Sequence, residues 1–120
     1  MAMCETGYRC DVCGEDVETI SQSDLYLRFV IGELDPEVLH TAAERHIRCN
    51  PVLAQFIDHP DFEPVSVSGP FDRMALDPAF VSARQKLVSR GYARLVELEG
   101  QPGEPDVTNY PLPDVLDRYR

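Results

Sequence analysis

Hydrophobic and polar positions fall into a small number of readable patterns along this chain. The clearest is Leu25-Tyr26-Leu27-Arg28-Phe29-Val30-Ile31, where Leu25, Leu27, Phe29 and Ile31 share one face at period two. It predicts a strand that Gly32-Glu33 ends. Asp35-Pro36-Glu37 carries a helix-start signal, with Asp as cap and Pro at the first position, for a short helix holding Val38 and Leu39. Thr41-Ala42-Ala43-Glu44 is a capping-box pattern, predicting another helical turn that leads to His46. Asn50-Pro51 repeats the cap-and-proline start ahead of a helix through Val52-Leu53-Ala54-Gln55-Phe56-Ile57.

Residues 59–72 are rich in Pro, Asp and Ser and read as a connector, with Val65-Ser66-Val67 a brief edge strand and His59 an exposed loop histidine. Asp77-Pro78 opens a helix that runs to Arg90, with Phe80, Ala83, Leu87 and Val88 as its apolar stripe and Gly91 as its stop. Tyr92 to Glu99 reads as a strand and 100–105 as a loop. Asp106 to Tyr110 reads as a return strand, and Pro113 to Tyr119 as a turn or short helix.

Charge divides the chain. Residues 1–66 carry 13 acids against 4 Lys and Arg, whereas 67–120 carry 8 against 7. The 120 residues suit one domain with two lobes, 1–66 and 67–120, or one single domain. A net charge of −10 opposes nonspecific phosphate binding. Met1-Ala2-Met3-Cys4 runs straight into polar residues, which predicts no signal peptide. No stretch approaches the ~20 apolar residues of a membrane span, so no membrane partner is expected. Four cysteines in such a chain fit metal binding better than disulfides, and a cytoplasmic location is expected.

The chemistry concentrates in two short pairs. Cys10-Asp11-Val12-Cys13-Gly14 and His46-Ile47-Arg48-Cys49 together spell C-x2-C…H-x2-C. Thiolate and imidazole are the donors that zinc takes in closed tetrahedral sites, so Cys10, Cys13, His46 and Cys49 are the candidate ligands of a zinc ion. Two cysteines separated by two residues bend round one ion in a tight knuckle, and Gly14 tolerates the positive φ such a turn needs. Glu15-Asp16-Val17-Glu18 reads as a solvated turn after it. His40 and Cys4 are the rival ligands. Two other readings stand beside zinc: reduced thiols buried as small hydrophobes, and a disulfide or redox pair.

A knuckle, an extended excursion and a ligand pair leading into a helix resemble the treble-clef and LIM-type zinc fingers, over residues 10 to 57. The resemblance implies a structural zinc held by three cysteines and one histidine. The fold class expected is α+β: a small zinc-binding domain with a short β-hairpin and helices, followed by a lobe of one helix plus a β-hairpin.

Three functions follow from these features. The first is a zinc-stabilised module that binds a protein partner, since four protein ligands leave no open position for chemistry. The second is nucleic-acid binding by a winged-helix-like half over 78–110, with Ser82, Arg84, Gln85, Lys86, Ser89 and Arg90 facing a groove, which the acidic charge disfavours. The third is a zinc enzyme using three ligands, a water and Glu44 as acid/base. Against the third, no H-E-x-x-H, phosphate loop, G-x-G-x-x-G or G-x-S-x-G occurs.

Overall fold

Ser23 begins the element on which the core is built. Its backbone is extended, and its hydroxyl accepts a hydrogen bond from the Tyr26 N–H at 3.1 Å, capping a helix, α1, over Asp24–Val30. At the far end Gly32 has φ +85°. Its N–H reaches the Phe29 carbonyl at 3.1 Å, and the Glu33 N–H reaches that of Arg28 at 2.8 Å. This double closure is a glycine-terminated Schellman stop. The strand expected over Leu25 to Ile31 is therefore a helix. Arg28 is the one polar residue in that run, so its alternation is equally what a helix buried nearly all round displays.

The computed structural model describes residues 8–34, 42–100 and 110–118. Within them the protein is mostly helical, with one two-stranded antiparallel hairpin. The hairpin pairs β1, Tyr8–Arg9, with β2, Asp16–Val17. After it come a 3-10 turn at Ile20–Gln22, α1, a 3-10 turn at Ile47–Cys49, and α2 at Pro51–Ala54. A further 3-10 turn at Arg73–Ala75 precedes the long helix α3, Pro78–Gly100, and the chain closes with α4, Pro113–Arg118. The solvated turn expected after the knuckle includes β2, and Val17 there is fully buried. The helix start expected at Asp35 and most of the return strand from Asp106 lie outside the described residues, as do Cys4 and His40, while the helical turn expected from Thr41 to Glu44 is not formed: residues 42–45 carry no helix and lead into the bridge at His46.

The largest correction concerns α3. The expected stop at Gly91 and the expected strand from Tyr92 to Glu99 are both interior to one 23-residue helix. Its buried positions, Val88, Gly91, Tyr92, Leu95 and Leu98, recur at three- and four-residue spacing. The glycine serves helix packing. A Cβ built at Gly91 would collide with Ile31 Cγ2 and sit 3.1 Å from Leu27 Cδ1, so α1 and α3 approach as closely as they do because that position lacks a side chain. The expected stripe also shifts: Phe80 and Ala83 are exposed, and Val88 is buried. With this strand replaced by helix, the C-terminal β-hairpin and the winged-helix-like arrangement expected over 78–110 are not formed by the described residues. Val65-Ser66-Val67 likewise forms no strand.

One buried cluster joins Leu27 and Val30 of α1 and its C-cap Ile31 to Ile47, to Val88 and Leu95 of α3, and to Val115 of α4. Each such side chain contributes about 1.5–3 kcal/mol on burial. The C-terminal segment is fastened by the Leu112 N–H to the Val30 carbonyl at 3.0 Å and by Arg94 Nε to the Tyr110 carbonyl at 3.0 Å. Arg90 adds a two-pronged ion pair to Asp114 at 2.8 and 3.1 Å. Among the described residues no helix is long and apolar enough to cross a membrane.

Candidate metal centre

The hairpin carries the first pair. Cys10 follows β1, and the chain folds back through a tight turn closed by the Gly14 N–H to the Cys10 carbonyl at 3.0 Å and the Cys10 N–H to the Glu15 carbonyl at 2.8 Å. Gly14 sits at φ +79°, a backbone region that penalises other side chains even though open space surrounds it. The Cys10 sulfur accepts three backbone N–H groups, from Val12 at 3.4 Å, Cys13 at 3.5 Å and His46 at 3.4 Å.

The second pair arrives from the core. Residues 44–46 run between the knuckle and the start of α1. The Asp11 N–H donates to the Glu44 carbonyl at 2.9 Å, and the Asp24 N–H to the Arg45 carbonyl at 2.8 Å. Ser23 and His46 form a lone antiparallel bridge. His46 caps the 3-10 turn ending at Cys49, and Asn50-Pro51 then opens α2 as expected, although α2 is only Pro51–Ala54. The Asn50 side chain does not cap it. Its Nδ2 donates to Asp24 at 2.9 Å instead.

These two routes bring the four expected ligands together. The donor atoms of Cys10, Cys13, His46 and Cys49 all lie within 4.8 Å of one another, and the cluster can hold a metal ion. Tetrahedral zinc with bonds of about 2.0–2.3 Å places its donors about 3.3–3.8 Å apart. His46 Nδ1 lies 3.3 Å from Cys13 Sγ and 3.8 Å from Cys49 Sγ, which fits. None of the three cysteines is in a disulfide. Cys10 is buried, His46 and Cys49 are half-buried, and Cys13 faces solvent, so the site lies at the surface with its best-shielded sulfur inward.

The thiols repel one another electrically. Burial opposes ionisation of Cys10, but the N–H groups of Cys13, His46 and Val12 outweigh it and lower the thiol to about 6. Cys49 is pushed up to about 12, first by burial and then by Cys10 and Cys13 beside it. A divalent cation at the centre of the cluster reverses that repulsion, because it favours every thiolate at once. The donor set therefore fits a soft or borderline divalent ion.

Around the ligands lies a support that the sequence pattern did not expose. His46 Nε2 faces the Asp16 carbonyl at 2.9 Å. Glu44, read from sequence as a capping acid or a catalytic one, is buried, and its carboxylate accepts from Ser23 Oγ at 2.8 and 2.9 Å and from the Arg45 N–H at 2.9 Å. Burial raises its pKa above the ordinary value. Asp24, fully buried, accepts from Arg28 Nε at 2.9 Å, from Arg45 at 3.1 Å and from Asn50. The legible signal for this support was Ser23-Asp24 ahead of an apolar run, the same cap pattern that marks α1.

Comparison with known proteins finds no matching family model, curated protein or solved structure.

The basic face considered for nucleic acid is largely engaged within the protein. Arg84 pairs with Glu33, Arg90 with Asp114, and Ser89 Oγ bonds the Phe56 carbonyl and the Asp58 N–H. His59, expected in an exposed loop, is half-buried with its ring edge-on to Tyr92 at 5.0 Å between centroids.

Proposed function

We propose that this is a small zinc-binding protein in which Cys10, Cys13, His46 and Cys49 hold a structural ion, and that it serves as a protein-interaction or regulatory module in the cytoplasm. The observation that carries the reading is the convergence of four soft or borderline donor atoms within 4.8 Å from two separate segments. The knuckle on a hairpin and the ligand pair leading into α2 support a treble-clef-like arrangement. Four protein donors complete a tetrahedral shell, so the ion's contribution is folding free energy rather than Lewis-acid chemistry. In small zinc domains that contribution reaches about 10–16 kcal/mol. Free thiols in the site agree with a reducing compartment.

Native mass spectrometry tests the proposal. The wild type and Cys4→Ser should each carry one zinc per chain, while Cys13→Ser should bind it far more weakly. A wild type that takes up no metal, or a Cys13→Ser variant that keeps full stoichiometry, would remove the reading.

A further inference from the structure

Three sulfurs converge at the candidate metal centre, and they are unequally guarded. Cys10 is 3% exposed, Cys49 is half-buried and Cys13 faces solvent. An oxidant arriving from solvent therefore meets Cys13 first. Cys10 stands in the same tight turn, closed by the Gly14 N–H to the Cys10 carbonyl at 3.0 Å. With only two residues between them, these two sulfurs remain neighbours whether or not an ion is bound. Cys49 comes from a separate segment and is adjacent only while the two ligand pairs stay together.

The surroundings select among oxidants. A cleft of about 570 Å³ opens against His46 and Cys49, and its walls carry the carboxylates of Glu15, Asp16, Glu18 and Asp61. Arg48 is the one Lys or Arg lining it, and that side chain is committed within the protein. Its guanidinium lies over the Phe62 ring at 4.5 Å and donates to the Glu63 carbonyl at 3.0 Å. The approach is therefore strongly acidic. An uncharged oxidant such as hydrogen peroxide crosses this field freely, whereas an anionic one such as glutathione disulfide is repelled.

We propose that the cluster is a peroxide-sensitive release switch, in which Cys13 and Cys10 close a disulfide and free the hairpin from the core. The proposal rests on the zinc reading above. Bound to zinc, both sulfurs are thiolates. The Cys13 thiolate attacks one oxygen of hydrogen peroxide: an S–O bond forms, the O–O bond breaks, and hydroxide leaves and takes one proton to become water. The Cys10 thiolate then attacks the sulfenic sulfur: an S–S bond forms, the S–O bond breaks, and a second hydroxide leaves as water. Two thiolates are oxidised, one peroxide is reduced and two protons are consumed. The centre loses two of its four donors. The His46 N–H, which donates to the Cys10 sulfur at 3.4 Å, loses a charged acceptor in the same step. The new bond lies within the knuckle, so it does not replace the bridge to His46 and Cys49. A thiol reductant reverses the change.

Peroxide titration of the full, zinc-loaded chain tests this, with a chromophoric chelator reading released zinc and peptide mass mapping reading the disulfide. One zinc should leave for each Cys10–Cys13 disulfide formed, and dithiothreitol with added zinc should restore the starting state. Amide exchange at Asp11, whose N–H donates to the Glu44 carbonyl at 2.9 Å, should speed up on oxidation. Release by glutathione disulfide should quicken several-fold from low to high salt, while release by peroxide should not change. Cys4→Ser should respond as the wild type does. A chain that carries zinc and keeps it under peroxide overturns the proposal and leaves the zinc reading standing. So does a disulfide that includes Cys49 or Cys4, an Asp11 amide that stays protected, or a peroxide response as sensitive to salt as that of glutathione disulfide. A chain without zinc at the outset removes both.

Discussion

His46 Nε2 and the carbonyl oxygen of Asp16 lie 2.9 Å apart, and this contact fixes which imidazole nitrogen is left to meet a metal ion. A carbonyl only accepts, so Nε2 carries the proton and Nδ1 presents its lone pair toward Cys13 and Cys49. The ring is oriented by the strand that follows the knuckle, so the first ligand pair positions the second. Long-range proton–nitrogen NMR on the zinc-loaded protein should show a protonated Nε2 and a metal-bound Nδ1. Metal found on Nε2 would contradict this arrangement.

Metal removal should loosen more than the hairpin. Residues 44–46 are bonded both to the knuckle and to the start of α1. Stripping zinc with a chelator should lower the unfolding free energy by several kcal/mol and speed amide exchange in α1 as well as around Cys10. Unchanged exchange in α1 after full metal loss would show that the two regions are independent.

Gly91→Ala tests the contact between α1 and α3. Alanine gains roughly 1 kcal/mol in helix propensity, yet its methyl meets Ile31 Cγ2, which sits on a branched Cβ and cannot swing aside. Overpacking of this kind costs about 1–3 kcal/mol, so a net loss of up to about 2 kcal/mol is expected in denaturant melts. A more stable variant would mean that the helices can separate freely.

The pKa of Glu44 is raised in the folded protein by burial. Its contribution to stability is complete below its ordinary value of 4.5 and is lost as pH rises through the folded value. Glu44→Gln removes that loss. The variant should therefore gain on the wild type as pH rises from acid to neutral, and a difference between them that is flat with pH would refute the assignment.

Cys10 works in the opposite direction in the metal-free protein. Its folded value of about 6 lies below its ordinary 9.0, so its ionised form adds stability that is present above pH 9 and lost as pH falls through 6. Ultraviolet thiolate absorbance of the metal-free chain should show a step near pH 6 that Cys10→Ser abolishes. Persistence of the step in that variant would assign it elsewhere.

The two halves of the site and of the fold were unequally legible. Cys10, Cys13, His46 and Cys49 could be read directly because ligand chemistry restricts residue type and spacing, and the cap-and-proline starts at Pro51 and Pro78 were read for the same local reasons. Leu25 to Ile31 misled because it is buried on most sides, whereas Tyr92 to Glu99 keeps a helical stripe of Tyr92, Leu95 and Leu98 beside exposed Ala93, Glu97 and Glu99, and its local alternation imitates a strand. A run with few polar residues carries no decisive period, and tertiary burial rather than local preference sets its form. Gly91 misled in a related way: a missing side chain can end a helix or admit a neighbour, and only the position of Ile31 distinguishes the two. The carboxylates of Asp24 and Glu44 take part of their support from far along the chain, Arg45 and Asn50 for the first and Ser23 for the second, so the local Ser23-Asp24 cap signal declares only part of their role.

The residues of α1 lie between the two ligand pairs in sequence and at the centre of the core in space. An ion bridging Cys10 to His46 would thus close a ring of polypeptide whose contents include the most enclosed helix among the described residues. Occupancy of a surface-facing site would then be felt in the interior, and a cell's supply of available zinc would govern how long this chain survives its proteases.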